Sequence, residues 1–252
     1  MTSEIDTSPF TACPEPFNMA DHVLKAGRAT PDKVALSVVS ATHSEDWTFA
    51  ELETAIRGVA AGFLARGLRV GDRVLMRLGN TPDFPICYLA SIAVGLIPVP
   101  TSSQLTASEV NKIAKDINPA LIVADNGIAL PDHGAPVLMA DELRTYHSLP
   151  PAPFDFGDSN RPAYIIYTSG TSGKPRAVVH AHRAVWARQM MWTGWYDLRD
   201  TDRLMHAGAF NWTYTLGTGL MDPWAAGATA LIPTNGTKPT DLPSLITAHQ
   251  AT

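Results

Sequence analysis

The chain has 252 residues and 45% hydrophobic content, enough for one large domain or two smaller ones with a real core. Its 19 Lys and Arg against 24 Asp and Glu leave a net charge of −5, which argues against nucleic acid as the main partner. The two cysteines, Cys13 and Cys87, lack metal-ligand spacing and point to a reduced compartment. No basic stretch followed by an apolar run opens the chain, so a cytoplasmic protein without a signal peptide is expected.

Residues 1 to about 18 are polar and carry proline, and read as an arm laid over the surface. A helix is expected over Met19–Ala29, ending before Pro31, and a strand over Val34–Val39. Thr48 and Glu51 have capping-box spacing, and Leu52, Ile56, Val59 and Phe63 then fall on one helical face that Gly67 is placed to end. Arg73–Leu78 reads as a strand, and Asn80-Thr81-Pro82 opens another helix. Phe84–Pro100 has no charged residue. It is short for a membrane span and is interrupted by Pro85, Gly95, Pro98 and Pro100, so it reads as a buried helix followed by a strand. Thr106 and Glu109 repeat the capping box ahead of the stripe Val110, Ile113, Ala114 and Ile117, which Pro119 stops. Leu121–Ala124 and Pro136–Met139 are two further strands. The proline-rich stretch His147–Pro162 reads as a connection. After it come strands at Tyr164–Tyr167, Ala177–His180, Arg203–His206 and Ala228–Ile232, with helices over His182–Tyr196, Trp212–Trp224 and from Asp241 onward. Strand and helix alternate throughout, which implies a mostly parallel sheet with phosphate-bearing ligands at the carboxyl ends of its strands.

The most informative stretch is Tyr164–His180. Two apolar strands bracket a loop that holds four hydroxyls, two glycines and one lysine, and no acid. A concave array of N–H donors and hydroxyls with one ammonium is a site for an anion, and a phosphate chain is the natural anion of that size. A Walker A loop fails on spacing, because position 168 would have to be Gly and Pro175 stands where Ser or Thr should reach magnesium.

Tyr167–Pro175 resembles the phosphate-binding signature of the adenylate-forming superfamily: acyl-CoA synthetases, adenylation domains of peptide synthetases, and luciferases. Ser172 stands for the last threonine of that signature, and the match ends at Arg176 and Ala177, where the family usually has lysine and glycine. The resemblance implies an α/β fold of two stacked α/β subdomains with mostly parallel sheets. Residues 1–150 would form the first, and 151–252 would begin the second and carry the ATP phosphate loop. It implies that Thr168, Ser169, Gly170, Thr171, Ser172, Gly173 and Lys174 hold the phosphates of ATP. It implies an acid-thiol ligase that joins a carboxylic acid to AMP and passes the acyl group to coenzyme A, with Mg2+ accompanying ATP. The family's Tyr-Gly-x-Thr-Glu segment and catalytic lysine lie in later parts, so no catalytic residue is assigned in this stretch. The chain is expected to be the front part of a longer enzyme whose remainder is its partner. An apolar surface where that remainder belongs is expected to drive self-association.

In proteins similar to this one, the segment at His206–Gly217 lines the acyl pocket, which would place Phe210, Asn211 and Trp212 against the acid. Core packing at a strand–helix junction is the competing reading of these aromatics. The bulky side chains favour a small aromatic or a short-to-medium aliphatic acid. His180 and His182 read as hydrogen-bonded structural histidines, since no third metal ligand is at hand. Trp186, Met190 and Met191 read as core. Two other functions compete: a non-catalytic homologue serving as a binding or scaffold module, and a phosphotransferase, which the loop spacing disfavours.

Overall fold

The expected alternation of helix and strand is what residues 11–168 and 175–252, those described by the computed structural model, adopt. Helix α1 (Met19–Lys25) begins at Asn18, whose side chain accepts from the N–H groups of Ala20 and Asp21, and it runs on into a 3-10 turn at Ala26–Ala29. Strands β1 (Val34–Val39) and β2 (Ser44–Thr48) pair antiparallel. β2 departs from the sequence reading, because Ser44, Glu45 and Asp46 are weak strand formers that pairing with β1 holds extended at a sheet edge.

Helix α2 (Phe49–Ala65) carries the expected capping box. The Glu51 N–H donates to Thr48 Oγ1 at 3.2 Å, and the Thr48 N–H donates to the Glu51 carboxylate at 2.8 Å. Its stripe of Leu52, Ile56, Val59 and Phe63 is fully buried, each side chain contributing roughly 1.5–3 kcal/mol. Next come β3 (Arg73–Arg77), α3 (Asp83–Ala93), β4 (Ile97–Pro100), α4 (Ala107–Ile117), β5 (Leu121–Ala124), β6 (Val137–Met139) and the short α5 (Ala140–Arg144). Every residue of α3 is buried, which explains why no charged residue follows Asp83 in it: the helix is covered on all sides by protein. Among the described residues no helix is long and apolar enough to cross a membrane. α4 repeats the capping box at Thr106 and Glu109, and its stripe Val110, Ile113, Ala114 and Ile117 is buried as its periodicity predicts.

The second half contains β7 (Pro162–Thr168), β8 (Arg176–Ala181), α6 (Ala184–Arg188), α7 (Met190–Gly194), β9 (Arg203–Met205), α8 (Thr213–Leu216), a π-helical turn at Gly217–Met221, α9 (Asp222–Ala226), β10 (Thr229–Pro233) and α10 (Leu242–Ala248). The helix expected over His182–Tyr196 is two five-residue helices that meet at Gln189. The break leaves Met190 exposed and Met191 half-buried, so these two do not form the core expected of them, whereas Trp186, half-buried, packs against the main core beside Phe17.

Two sheets and a hairpin carry the fold. One sheet has the order β4-β3-β5-β6 and is wholly parallel. α3 and α4 cover its opposite faces, since Val74 and Met76 join the α3 cluster and Leu75 joins the α4 cluster. Burial on both faces explains why β4 and β5 read as unbroken apolar runs. The other sheet has the order β2-β1-β10-β9. In it β1, β10 and β9 run parallel, with Leu36 opposite Ala230. Strands from before and after residue 150 therefore share one sheet, so a division of the chain at 150 cuts across hydrogen-bonded strands. The proline-rich connection is also pinned to the first half. Ala152 N–H donates to Arg57 O, Asp155 N–H donates to Ala93 O, and Gly157 bridges to Phe17.

Candidate active site

β7 and β8 form an antiparallel hairpin whose last described pair is Thr168 opposite Arg176. The residues expected to bind phosphate, Ser169, Gly170, Thr171, Ser172, Gly173 and Lys174, lie outside the described residues. Their bracket is fixed firmly. Ala163 and Ile166 are buried, and Ile165 packs with Val99 and Ile113 on the α4 side of the first sheet. Tyr164 sits edge-on to Tyr88 at 5.6 Å and stacks flat on His180 at 4.5 Å. The Tyr167 hydroxyl donates to Asp116 at the end of α4, and burial together with that bond pushes the phenol's pKa upward. Thr168 itself is exposed.

His182 is fully buried. Its Nδ1 accepts from the Met19 N–H at 3.0 Å, and burial lowers its pKa to about 3. It is a structural histidine, as the sequence suggests. His180 is likewise occupied by its stacking on Tyr164, and burial lowers its pKa.

The second segment, His206–Gly217, leaves the carboxyl end of β9. His206 Nδ1 accepts from the Gly208 N–H at 3.1 Å, so Nδ1 is unprotonated, and burial lowers the ring's pKa. Gly219 is required beneath this ring, since a Cβ there would stand 2.8 Å from His206 Cβ. Of the three pocket candidates, Phe210 is 1% exposed and packs on Phe84 at 5.5 Å, so its ring belongs to the core rather than to an open wall. Asn211 is half-buried, and Trp212 is 54% exposed.

The loops at the carboxyl ends of β3, β4, β5, β9 and β10 meet around an open cleft of about 860 Å³. Gly79 and Asn80, Gln104, Asp125, Ala207 and Thr234 are among its walls, one or two from each of those strand ends. Ligands of parallel α/β sheets sit in this kind of position. Asp125 Oδ2 accepts from the Gly79 N–H at 2.8 Å, while burial raises the carboxyl's pKa. Across the cleft's edge, Arg144 grips the buried Asp83 carboxylate through Nη2 at 2.6 Å and Nε at 3.1 Å. No described residue of the β7–β8 hairpin lines this cleft. The sequence did not single out the cleft, because its walls come from five loops distant in the chain. Among the described residues no three or more His, Cys, Asp or Glu side chains gather as metal ligands.

Comparison with known proteins follows the same outline. The family described as AMP-binding enzyme matches residues 23–252. The chain is 25% identical over 228 residues to a 3-hydroxybenzoate–CoA ligase of Aromatoleum sp. (strain CIB), covering 81% of this chain and 42% of that one. It is 31% identical over 189 residues to an anthranilate–CoA ligase of Pseudomonas aeruginosa, covering 68% of this chain and 36% of that one. The N-terminal subdomain of Klebsiella oxytoca NpsA superposes with a TM-score of 0.83 at 22% identity, over 93% of this chain and 60% of that one, a likeness of fold. The chain spans less than half the length of these two curated relatives.

Proposed function

Since the chain belongs to the AMP-binding enzyme family, we propose that it is the N-terminal part of an ATP-dependent acyl-CoA synthetase acting on a small aromatic or short-to-medium aliphatic acid. A carboxylate oxygen attacks the α-phosphorus of ATP, the bond to the β-phosphate breaks, and pyrophosphate leaves. The thiol of coenzyme A then takes the acyl group and releases AMP. No general base is needed for the first step, because the acid is already ionised near neutral pH. The obstacle is charge, since pyrophosphate must depart from a polyanion.

Preorganised donors around the departing phosphates lower that barrier. Thr168, Ser169, Thr171 and Ser172 supply hydroxyls, Gly170 and Gly173 allow close N–H approach, and Lys174 supplies full charge. The observation that carries this reading is the hairpin. Its strands close on each other at Thr168 and Arg176, the residues that flank this donor-rich, acid-free run in the sequence. Asn211 and Trp212 face the acid, with Phe210 supporting them from the core side. The names of the aromatic-acid relatives support the choice of substrate class.

The test is carboxylate-dependent exchange of pyrophosphate into ATP by the complete protein, offered benzoate, hydroxybenzoates, anthranilate and hexanoate in turn. Replacing Thr168 and Lys174 together by Ala is expected to lower exchange by about 100-fold or more, as removal of oxyanion-type donors does elsewhere. An unchanged rate in the double variant refutes the phosphate-loop role.

A further inference from the structure

We propose that Asn80 is a positioning residue for the acyl-pocket segment, an assignment that rests on the reading of Asn211 and Trp212 given above. Asn80 lies in the turn between β3 and α3, well over a hundred residues from that segment in sequence. Its Nδ2 donates to the Gly208 carbonyl at 2.9 Å, and its Oδ1 accepts from the Phe210 N–H at 3.1 Å. One carboxamide thus holds one donor and one acceptor of the same backbone stretch, and only one orientation of the amide satisfies both.

The turn that presents Asn80 is itself rigid. Gly79 N–H is held by Asp125 at 2.8 Å, Thr81 N–H donates to Gly79 O, and Phe84 N–H donates to Thr81 O. Phe84 then meets the Phe210 ring at 5.5 Å. A polar clamp from the β3–α3 turn and an apolar contact from the first turn of α3 therefore fix Phe210 from two sides. The next two residues are those proposed to face the acid. The backbone turns immediately after the clamp, with Trp212 N–H donating to Ala209 O and Leu216 N–H donating to Trp212 O at the start of α8. Asn80 therefore sets where Asn211 and Trp212 stand.

Two measurements test this. In the 252-residue chain, hydrogen exchange of the Phe210 amide reads the clamp directly. Asn80→Ala is expected to lose that protection about tenfold, the scale of a single neutral hydrogen bond, while Asn80→Asp, which keeps an acceptor, retains it. In the complete protein, Asn80→Ala is expected to raise KM for the carboxylate about tenfold or more and leave KM for ATP within about twofold, with Asn80→Asp between. Equal rises in both KM values, or no change in either, overturn the positioning role. Unchanged Phe210 exchange in Asn80→Ala overturns the clamp itself, whatever the activity. A wild-type protein that exchanges pyrophosphate with no acid sinks the ligase reading instead, and the Phe210 amide then still decides on the clamp.

Discussion

Replacing Gly217 by alanine tests how the second half of the chain is held together. A Cβ at this position would lie 2.5 Å from Nη2 and 2.7 Å from Nε of Arg188. A guanidinium at the end of a flexible stem can swing aside, so the cost is set by what it leaves behind. Arg188 donates to Asp222 through Nε at 2.8 Å and through Nη2 at 2.5 Å, and Asp222 is fully buried. With Arg188 displaced, that carboxylate keeps, among the described residues, the Tyr196 hydroxyl at 2.5 Å alone. Breaking a buried ion pair from one side costs roughly 3–5 kcal/mol. The Arg188 side chain is 20% exposed, which favours the lower end. Alanine in place of glycine in a helix returns about 1 kcal/mol. A net loss of about 2 kcal/mol is expected, equivalent to a fall in Tm of about 4–8 °C for a chain of this size. Urea unfolding of the single variant measures it. The control is the same substitution in an Arg188→Ala, Asp222→Asn background. There the guanidinium and the buried charge are both gone, and Gly217→Ala becomes neutral or mildly stabilising. Equal losses in the two backgrounds, or no loss in the wild-type background, would refute the reasoning.

The buried histidines make stability fall with acid. The folded pKa of His182 is about 3 against an ordinary value near 6.5, so the unfolded chain binds its proton first. Its contribution is intact above pH ~6.5 and is lost below it at about 1.4 kcal/mol per unit, or about 2 kcal/mol at pH 5. His22, lowered to about 4 chiefly by burial, adds to the same slope. His182→Gln, which keeps an acceptor for the Met19 N–H, is expected to flatten Tm against pH between 7 and 5, and an unchanged slope would count against neutral burial of the ring. Strand β8 offers Val178 and Val179, 38% and 56% exposed, on a strand that among the described residues pairs with β7 alone. Open apolar edges invite pairing with a second copy. The chain is expected to self-associate in light scattering, with Val179→Lys returning it toward monomer; a monomeric wild type at high concentration refutes this.

The parts of the fold legible in the sequence were those encoded locally. Both capping boxes form because Thr48–Glu51 and Thr106–Glu109 need only neighbours three residues apart. The α2 and α4 stripes are buried where their periodicity put them, and the β7–β8 hairpin follows from two short β-favouring runs around a glycine-rich loop. Local signals failed where distant pairing decides. β2 is extended because β1 is beside it, not because Ser44-Glu45-Asp46 prefer it. The expected Trp212–Trp224 helix carries a π-helical turn at Gly217–Met221, next to the place where Arg188 reaches under Gly217 from α6 to meet Asp222. The sheet joining β1 to β10 is invisible to any reading that divides the chain near residue 150.

The same distinction separates two kinds of site residue. A phosphate loop is a contiguous run, because backbone N–H groups must converge on one small anion, so its composition alone marks it. An acyl pocket has no such constraint. Its walls need only the right shape, and nothing in the order His206–Gly217 says which aromatics turn inward. Phe210 turns into the core because Asn80 captures its amide and Phe84 its ring, leaving Trp212, two residues on, more than half exposed. The side chain that decides between core and pocket is therefore in the turn before α3, where a lone asparagine before Thr-Pro reads as an ordinary helix start. Residues that position by grasping distant backbone are expected to escape sequence reasoning generally, since their partners are carbonyl and amide groups that every residue carries.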